Sequence, residues 1–400
     1  MITVEEIKTS LEKMSLDQLW SVLKANNMNI AVWSLPNSEQ SYLIADHKPI
    51  SKVSQLNIES SKPGFVMCDF KGDASFINAN FQATFNKAHF LDEIICDDIA
   101  ILNKIKESII EPFVLISKKI APIAFIKDEE RKLNFIEKVK LAVACINEGG
   151  MKKVVLSRQK KGIIRKDFCP LQSFNKLSKA YPSAFVSLIY LAETETFWLG
   201  ATPEILVSLG SDGVFKTMSL AGTQSAIDSN GNAIAETDAR WSQKEIEEQA
   251  LVSRYIIDSF KKIRLREFVE NGPKTVKAGN LLHLRTDYTV DTKSIGIANL
   301  ASTMLHLLHP TSAVCGMPLD ESKQFIEKYE GYSRDLYSGY IGPINFKYQN
   351  QVFVNLRTMK IQGDLATFYA GAGITEDSNP EKEWIETEMK INTLLNVINL

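Results

Sequence analysis

The chain has 400 residues, 44% of them hydrophobic and 24% charged, which excludes general disorder and suits one large enzyme domain or two closely packed ones. A net charge of −2 without a long basic block excludes nucleic acid as the main partner. The five cysteines (Cys68, Cys96, Cys145, Cys169, Cys315) are scattered and contain no CxxC pair, which argues against a disulfide framework and a thiolate metal site.

The opening Met-Ile-Thr-Val-Glu-Glu has neither a basic nor an apolar leader segment, and no apolar run reaches the roughly eighteen residues that span a bilayer. A cytoplasmic protein with no membrane contact and no obligatory protein partner is expected. Residues 4–26 predict one helix, with Ile7, Leu11, Met14, Leu19, Val22 and Leu23 at helical spacing and Asn26-Asn27 as its stop. Residues 29–35 read as a strand ended by Pro36-Asn37. Short alternating segments follow at 41–45, 64–68 and 89–91, among polar loops that hold the isolated His47 and His89.

From residue 126 onward the pattern is denser. Residues 131–148 form an amphipathic helix carrying Phe135, Ile136, Val139, Val143 and Ile146, stopped by Gly149-Gly150. A strand at 153–158, a helix at 170–180, strands at 184–191, 196–200 and 205–209, and a strand ending at 219–223 come next. A long helix at 241–262, a strand at 281–285 and helices at 297–308 and 319–330 follow. Strands at 336–345, 351–361 and 365–371 precede the terminal helix. Strands and helices without regular βαβ alternation predict an α+β fold with large, mostly antiparallel sheets. One domain over 1–400 is expected, with a variable part at 1–125 and a motif-bearing part at 126–400.

Two helices concentrate the chemistry. After Ala370-Gly-Ala-Gly373, Ser378 or Asn379 can cap a helix with Pro380 in its first turn. Glu383 and Glu386 then share a face that continues through Lys390, Leu394 and Val397. Acidic residues also complement a helix start, and Glu386 can simply pair with Lys390. In the 241–262 helix, Glu245 and Glu248 repeat the i,i+3 spacing on a face shared with Gln249, Val252, Tyr255 and Ile256. Glu245 also completes a Ser-x-x-Glu capping box from Ser242. Carboxylates on a buried face need a partner, and an all-oxygen donor set favours Mg²⁺ over zinc. Lys153 heads a Val-Val-Leu strand, either as an edge charge or as a base. Glu204 sits in a turn after Pro203, His283 and His309 lie at strand ends or turns, and Arg357 suits a carboxylate ligand. Gly371 and Gly373 allow close backbone approach.

The motifs also occur in a telling order. Lys153–Arg158, Leu-Gly-Ala-Thr-Pro-Glu204, Leu-Ala-Gly222-Thr223 and Ser-x-Lys-Glu245-x-x-Glu248 come first. His283-Leu-x-Thr, Leu-His-Pro-Thr-x-Ala313-Val-Cys-Gly, Tyr337-Ser-Gly-Tyr-Ile-Gly-Pro and the Ala370–Thr387 stretch follow. Together, over about residues 130–395, they resemble the chorismate-utilising, anthranilate synthase component I-like enzymes, and most closely the isochorismate synthases.

The resemblance implies chorismate as substrate, Mg²⁺ as the cofactor and isochorismate as product, for menaquinone or siderophore biosynthesis. Lys153 would activate water for attack at C2, and Glu204 would protonate the departing C4 hydroxyl. Glu248 and Glu386 would bind the metal, with Glu245 and Glu383 making further metal or water contacts. Arg357 and Tyr337 would grip the enolpyruvyl carboxylate. Gly222, Thr223, His283, Ala313, Gly371, Gly373 and Lys390 would line the substrate. Lys153 favours water over the ammonia of anthranilate synthases. A salicylate synthase is the alternative enzyme, and a non-catalytic chorismate-binding module the alternative class. Gln249 and Gln224 depart from the family's usual histidine and arginine.

Overall fold

The structure, a computed structural model, describes residues 4–110, 124–125, 129–164, 168–228 and 230–398. Two large sheets form its frame, and every described strand pairing within them is antiparallel. The first runs Gly316–Met317, Lys153–Ile163, Leu365–Ile374, Thr358–Gln362, Thr196–Thr202, Phe185–Leu191, Asn29–Ser34, Ser41–Asp46, Phe81–Phe85, Leu91–Cys96. Ala124–Phe125 adds to it beside Lys153–Ile163. The second runs Val269–Ala278, Leu281–Asp291, Val214–Ser225, Ile205–Leu209, Asn350–Val354, Tyr340–Ile344, Gly64–Cys68, Ala74–Asn78, Ser51–Val53.

An aromatic layer fills the space between the sheets. Trp33, Phe65, Phe185, Trp198, Phe353 and Tyr369 are all buried there, and Phe185 stacks on Phe353 with centroids 4.1 Å apart. On the outer face of the first sheet, helices Leu16–Ala25 and Pro170–Ala180 and the end of Pro380–Ile398 bury Leu19, Leu23, Phe174 and Leu394. Helices Gln243–Lys262 and Leu300–Leu308 cover the second sheet with Ile256, Phe260, Met304 and Leu305. The α+β expectation therefore holds. Strands from the first hundred residues belong to both sheets, since Asn29–Ser34 pairs with Phe185–Leu191 and Gly64–Cys68 with Tyr340–Ile344. The division expected near residue 125 lies beside stretches outside the described residues.

Several elements differ from the sequence expectation, for local reasons. The helix expected at 4–26 is two, Val4–Leu11 and Leu16–Ala25, because Ser15 and Gln18 form a capping box that starts a new helix. Of the segment expected at 89–91, His89 sits in a turn at φ 62° and only Leu91 is extended, as the first residue of the strand Leu91–Cys96. Strands Ala74–Asn78, Phe81–Phe85 and Val269–Ala278 and helix Ile99–Ile110 were not expected. The strand expected at 336–345 starts only at Tyr340, because Ser338 takes φ 62° in a turn. The strand expected at 351–361 is two, one in each sheet, with Arg357 at φ 46° between them.

Candidate active site

The site forms where the chain crosses from one sheet to the other. Thr196–Thr202 belongs to the first sheet and Ile205–Leu209 to the second, so Pro203-Glu204 is the crossing between them. Asn350–Val354 and Thr358–Gln362 make the reverse crossing through Asn355-Leu356-Arg357. The two crossings are tied together: Val354 N donates to Glu204 O at 3.0 Å, Ala201 N to Arg357 O at 3.1 Å, and Thr202 Oγ1 to Val354 O at 2.7 Å. Scaffold hydrogen bonds thus aim an acid and a cation into one place.

The cavity there is lined by Glu204, Gly222, Thr223, Glu248, His283, Ala313, Tyr337, Arg357, Gly371 and Lys390, all residues singled out from the sequence. Lys153 lies just beneath it, fully buried, with Nζ 3.0 Å from Glu248 Oε1. The edge-charge alternative for Lys153 is therefore excluded. Gly373 packs where any Cβ would run into Glu248 and the Lys153 side chain. Pro203, Leu220, Val314 and Tyr369 also line the cavity and were not singled out as pocket residues. Tyr369 stacks between Tyr337 and Trp198, at centroid distances of 5.3 and 5.7 Å. Its place in an alternating strand carried no sign of a pocket role.

Burial sets the protonation pattern. Desolvation raises the Glu204 carboxyl to about 8 despite the opposing charges of Lys153, Lys390 and Arg357, so it is a protonated acid at neutral pH. Desolvation, reinforced by Arg357, drives His283 well below its usual value, so its imidazole is neutral. The neighbours then fix the tautomer: Nδ1–H donates to Gly222 O at 2.7 Å and Nε2 accepts from Arg357 Nη2 at 2.5 Å. Burial lowers Arg357 only to about 10, which leaves it charged. His309 faces elsewhere, its Nε2–H donating to Asp69 O at 3.0 Å and its ring stacking edge-on against Tyr340.

Three of the four expected carboxylates gather around lysines. Glu248 contacts Lys153, Glu383 Oε1 accepts from Lys244 Nζ at 2.6 Å, and Glu386 Oε1 accepts from Lys390 Nζ at 2.7 Å. Lys390 also donates to Gly371 O at 2.8 Å. Lys244 links the two acidic helices, a role not anticipated although it stands inside the Ser-x-Lys-Glu motif. Glu245 behaves differently. Its Oε2 accepts from Ser242 N at 2.8 Å and from the Ser242 hydroxyl, so it completes the capping box. Asn379 caps the other helix by accepting from Glu381 N and Lys382 N. Gln249, in place of the family's usual histidine, donates to Ser219 Oγ at 2.8 Å and Thr286 Oγ1 at 3.2 Å, and so ties its helix to the second sheet.

Among the described residues, no group of three or more carboxylate, His or Cys side chains is drawn together tightly enough to hold a cation as it stands. The donor chemistry nonetheless fits Mg²⁺. Burial and the neighbouring Glu386 raise Glu383 to about 7, and its Oε2 is buried without a hydrogen-bond partner. An unsatisfied buried carboxylate oxygen beside a second carboxylate is a place where a hard cation is stabilised.

A family model described as chorismate binding enzyme matches residues 65–399. The chain belongs to the chorismate-binding enzyme family. Within this family, it is 28% identical over 285 residues to anthranilate synthase component 1 of Saccharolobus solfataricus, covering 70% of this chain and 65% of that protein. It is 29% identical over 275 residues to isochorismate synthase MenF of Escherichia coli, covering 66% of this chain and 60% of the relative. The matched stretches thus span less than two thirds of these relatives. The fold matches that of the menaquinone-specific isochorismate synthase MenF of Escherichia coli with a TM-score of 0.73 and 21% identity, over 95% of this chain and 91% of that one. It also matches a putative 2,3-dihydroxybenzoate-specific isochorismate synthase, DhbC, of Bacillus anthracis, with a TM-score of 0.73 and 19% identity, over 95% of this chain and 99% of that one. The family match begins at residue 65, inside the part expected to be variable, because strands from that part complete the shared sheets.

Proposed function

We propose that this protein is an isochorismate synthase, converting chorismate to isochorismate reversibly with Mg²⁺. The observation that carries the reading is a buried lysine set behind the cavity against Glu248, together with a buried glutamic acid on the cavity wall that stays protonated at neutral pH. The reaction needs both, because water is a poor nucleophile and hydroxide a poor leaving group.

Lys153 Nζ accepts a proton from water as the water oxygen bonds to C2. The ring double bonds shift, the C4–O bond breaks, and Glu204 donates its proton so that the C4 hydroxyl leaves as water. One water enters and one leaves, and no electron is gained or lost overall. To act as base, Lys153 must first release its ammonium proton, by way of Glu248 3.0 Å away, and then turn its neutral amine to the incoming water. Arg357, held by neutral His283 and by Ala278 O at 3.1 Å, binds the enolpyruvyl carboxylate beside Tyr337. Mg²⁺, held by Glu248, Glu386 and Glu383, would neutralise carboxylate charge and orient the ring carboxylate of the substrate. The free volume of ≈ 70 Å³ is far below the ~300 Å³ at which small-molecule sites begin, so the cavity has to widen as substrate enters.

The anthranilate synthase and isochorismate synthase relatives match about equally well, so the choice of water over ammonia rests on Lys153. One structural neighbour is named for menaquinone and the other for 2,3-dihydroxybenzoate, which supports isochorismate as a precursor of one or the other here. The test is chorismate incubated with protein, Mg²⁺ and ammonium, with products separated by chromatography. Isochorismate is expected; anthranilate, or salicylate with pyruvate, as the main product would overturn the assignment.

A further inference from the structure

Outside the cavity, the strand that carries Lys153 also grips the helix that carries Glu383 and Glu386. The Arg158 guanidinium stacks on the Trp384 ring, with Cζ 3.7 Å from the centroid. Its Nε donates to Thr387 Oγ1 at 2.6 Å, and its Nη2 donates to Glu388 Oε1. Lys160, on the same face of the strand, donates to Glu388 Oε2 at 2.7 Å. The Thr387 hydroxyl donates to Trp384 O at 2.7 Å, which leaves its oxygen free to accept from Arg158. Arg158, Thr387 and Trp384 are all buried.

Trp384, Thr387 and Glu388 interleave with Glu383 and Glu386 on adjoining faces of one stretch of helix. Gripping three of these positions fixes the rotation of the helix about its axis. Carboxylate tips stand about 5–6 Å from a helix axis, so a turn of roughly 20° carries them about 2 Å sideways. Mg²⁺ tolerates little such error, since it demands near-octahedral oxygens at about 2.0–2.1 Å. A planar guanidinium stacks and forks in one fixed geometry, which an ammonium cannot do.

We propose that Arg158 is a positioning residue that locks the Pro380–Ile398 helix at the rotation which turns Glu383 and Glu386 toward Glu248, and so sets the affinity of the carboxylate site for a divalent cation. This rests on the metal reading given above. Arg158 contacts neither substrate nor metal; it acts through Trp384, Thr387 and Glu388.

The test uses the full chain and Mn²⁺ as the probe, with binding followed by loss of the free-ion paramagnetic signal. Arg158→Gln should weaken Mn²⁺ binding by about tenfold or more, and Arg158→Lys by less. Glu388→Gln, which leaves Glu383 and Glu386 untouched, should move in the same direction. Raising Mg²⁺ should restore kcat in each variant, with the KM for chorismate near wild type at saturating metal. Wild-type Mn²⁺ affinity in folded Arg158 variants would overturn the proposal, as would a loss of kcat that excess metal fails to rescue. Circular dichroism reports folding, and Arg158→Lys decides the matter if Arg158→Gln does not fold. A wild-type protein that takes up no Mn²⁺ removes the carboxylate-site reading itself, and the clamp's purpose with it.

Discussion

Glu204 and Gly373 show how far single positions are governed by what surrounds them. Between about 4.5 and about 8 the folded chain keeps a proton on Glu204 that the unfolded chain has released. Raising pH through that window therefore costs stability, and above it the acid is lost. The pH profile of kcat/KM should fall on its alkaline side near pH 8, and Glu204→Gln should lower kcat by about 10²–10⁴-fold with the fold intact. Near-full activity in that variant would contradict the role. At Gly373, a methyl group would collide with Glu248 and with Lys153 Cε. Gly373→Ala should therefore displace the lysine–carboxylate contact and remove most turnover, at an overpacking cost of about 1–3 kcal/mol by urea unfolding. The sequence alone shows two glycines here, but not that one of them faces the Lys153–Glu248 pair.

At the scale of elements, the two acidic helices present similar i,i+3 spacings with different outcomes. Glu245 is spent on its capping box, whereas Glu248, Glu383 and Glu386 meet lysines. Glu245→Gln should consequently change kcat only a few-fold, while Glu248→Gln and Glu386→Gln should abolish it. Exhaustive chelation should stop turnover and added Mg²⁺ restore it; activity that survives chelation would contradict the metal reading. Helical spacing made these faces legible because carboxylates on an apolar stripe need an explanation. It could not distinguish cap from ligand at Glu245, because both readings use the same residue at the same spacing. Strand periodicity failed differently. A run of alternating residues reads as one strand, so the crossing at Asn355-Leu356-Arg357 was invisible until the two sheets were seen to claim its two halves. The helix break at Ser15 was hidden in the same way, inside apolar spacing that continued across it.

For the whole molecule, the first 125 residues are the part least legible in the sequence. Their strands are short, and long-range pairing partners decide which face of each is buried. They nonetheless place Trp33 and Phe65 between the sheets and pair with strands of the second part. A chain shortened to about residues 126–400 would leave the Phe185–Leu191 edge unpaired and the inter-sheet aromatics exposed. It should fail to give a monodisperse folded species on size exclusion and circular dichroism; a stable, active fragment would contradict this. The motif order, by contrast, points to the family before any geometry, because the residues at the two sheet crossings and on the two acidic helices stand in the family's order along the chain. The central claim is that Lys153 delivers water to C2 while Glu204 releases the C4 hydroxyl. Turnover of chorismate in water carrying the heavy oxygen isotope, followed by mass spectrometry, tests it most directly. One solvent oxygen should appear in the isochorismate formed by the wild-type protein, and Lys153→Ala should form no labelled product. Product made without solvent oxygen, or labelled product from the Lys153 variant at the wild-type rate, would contradict the account.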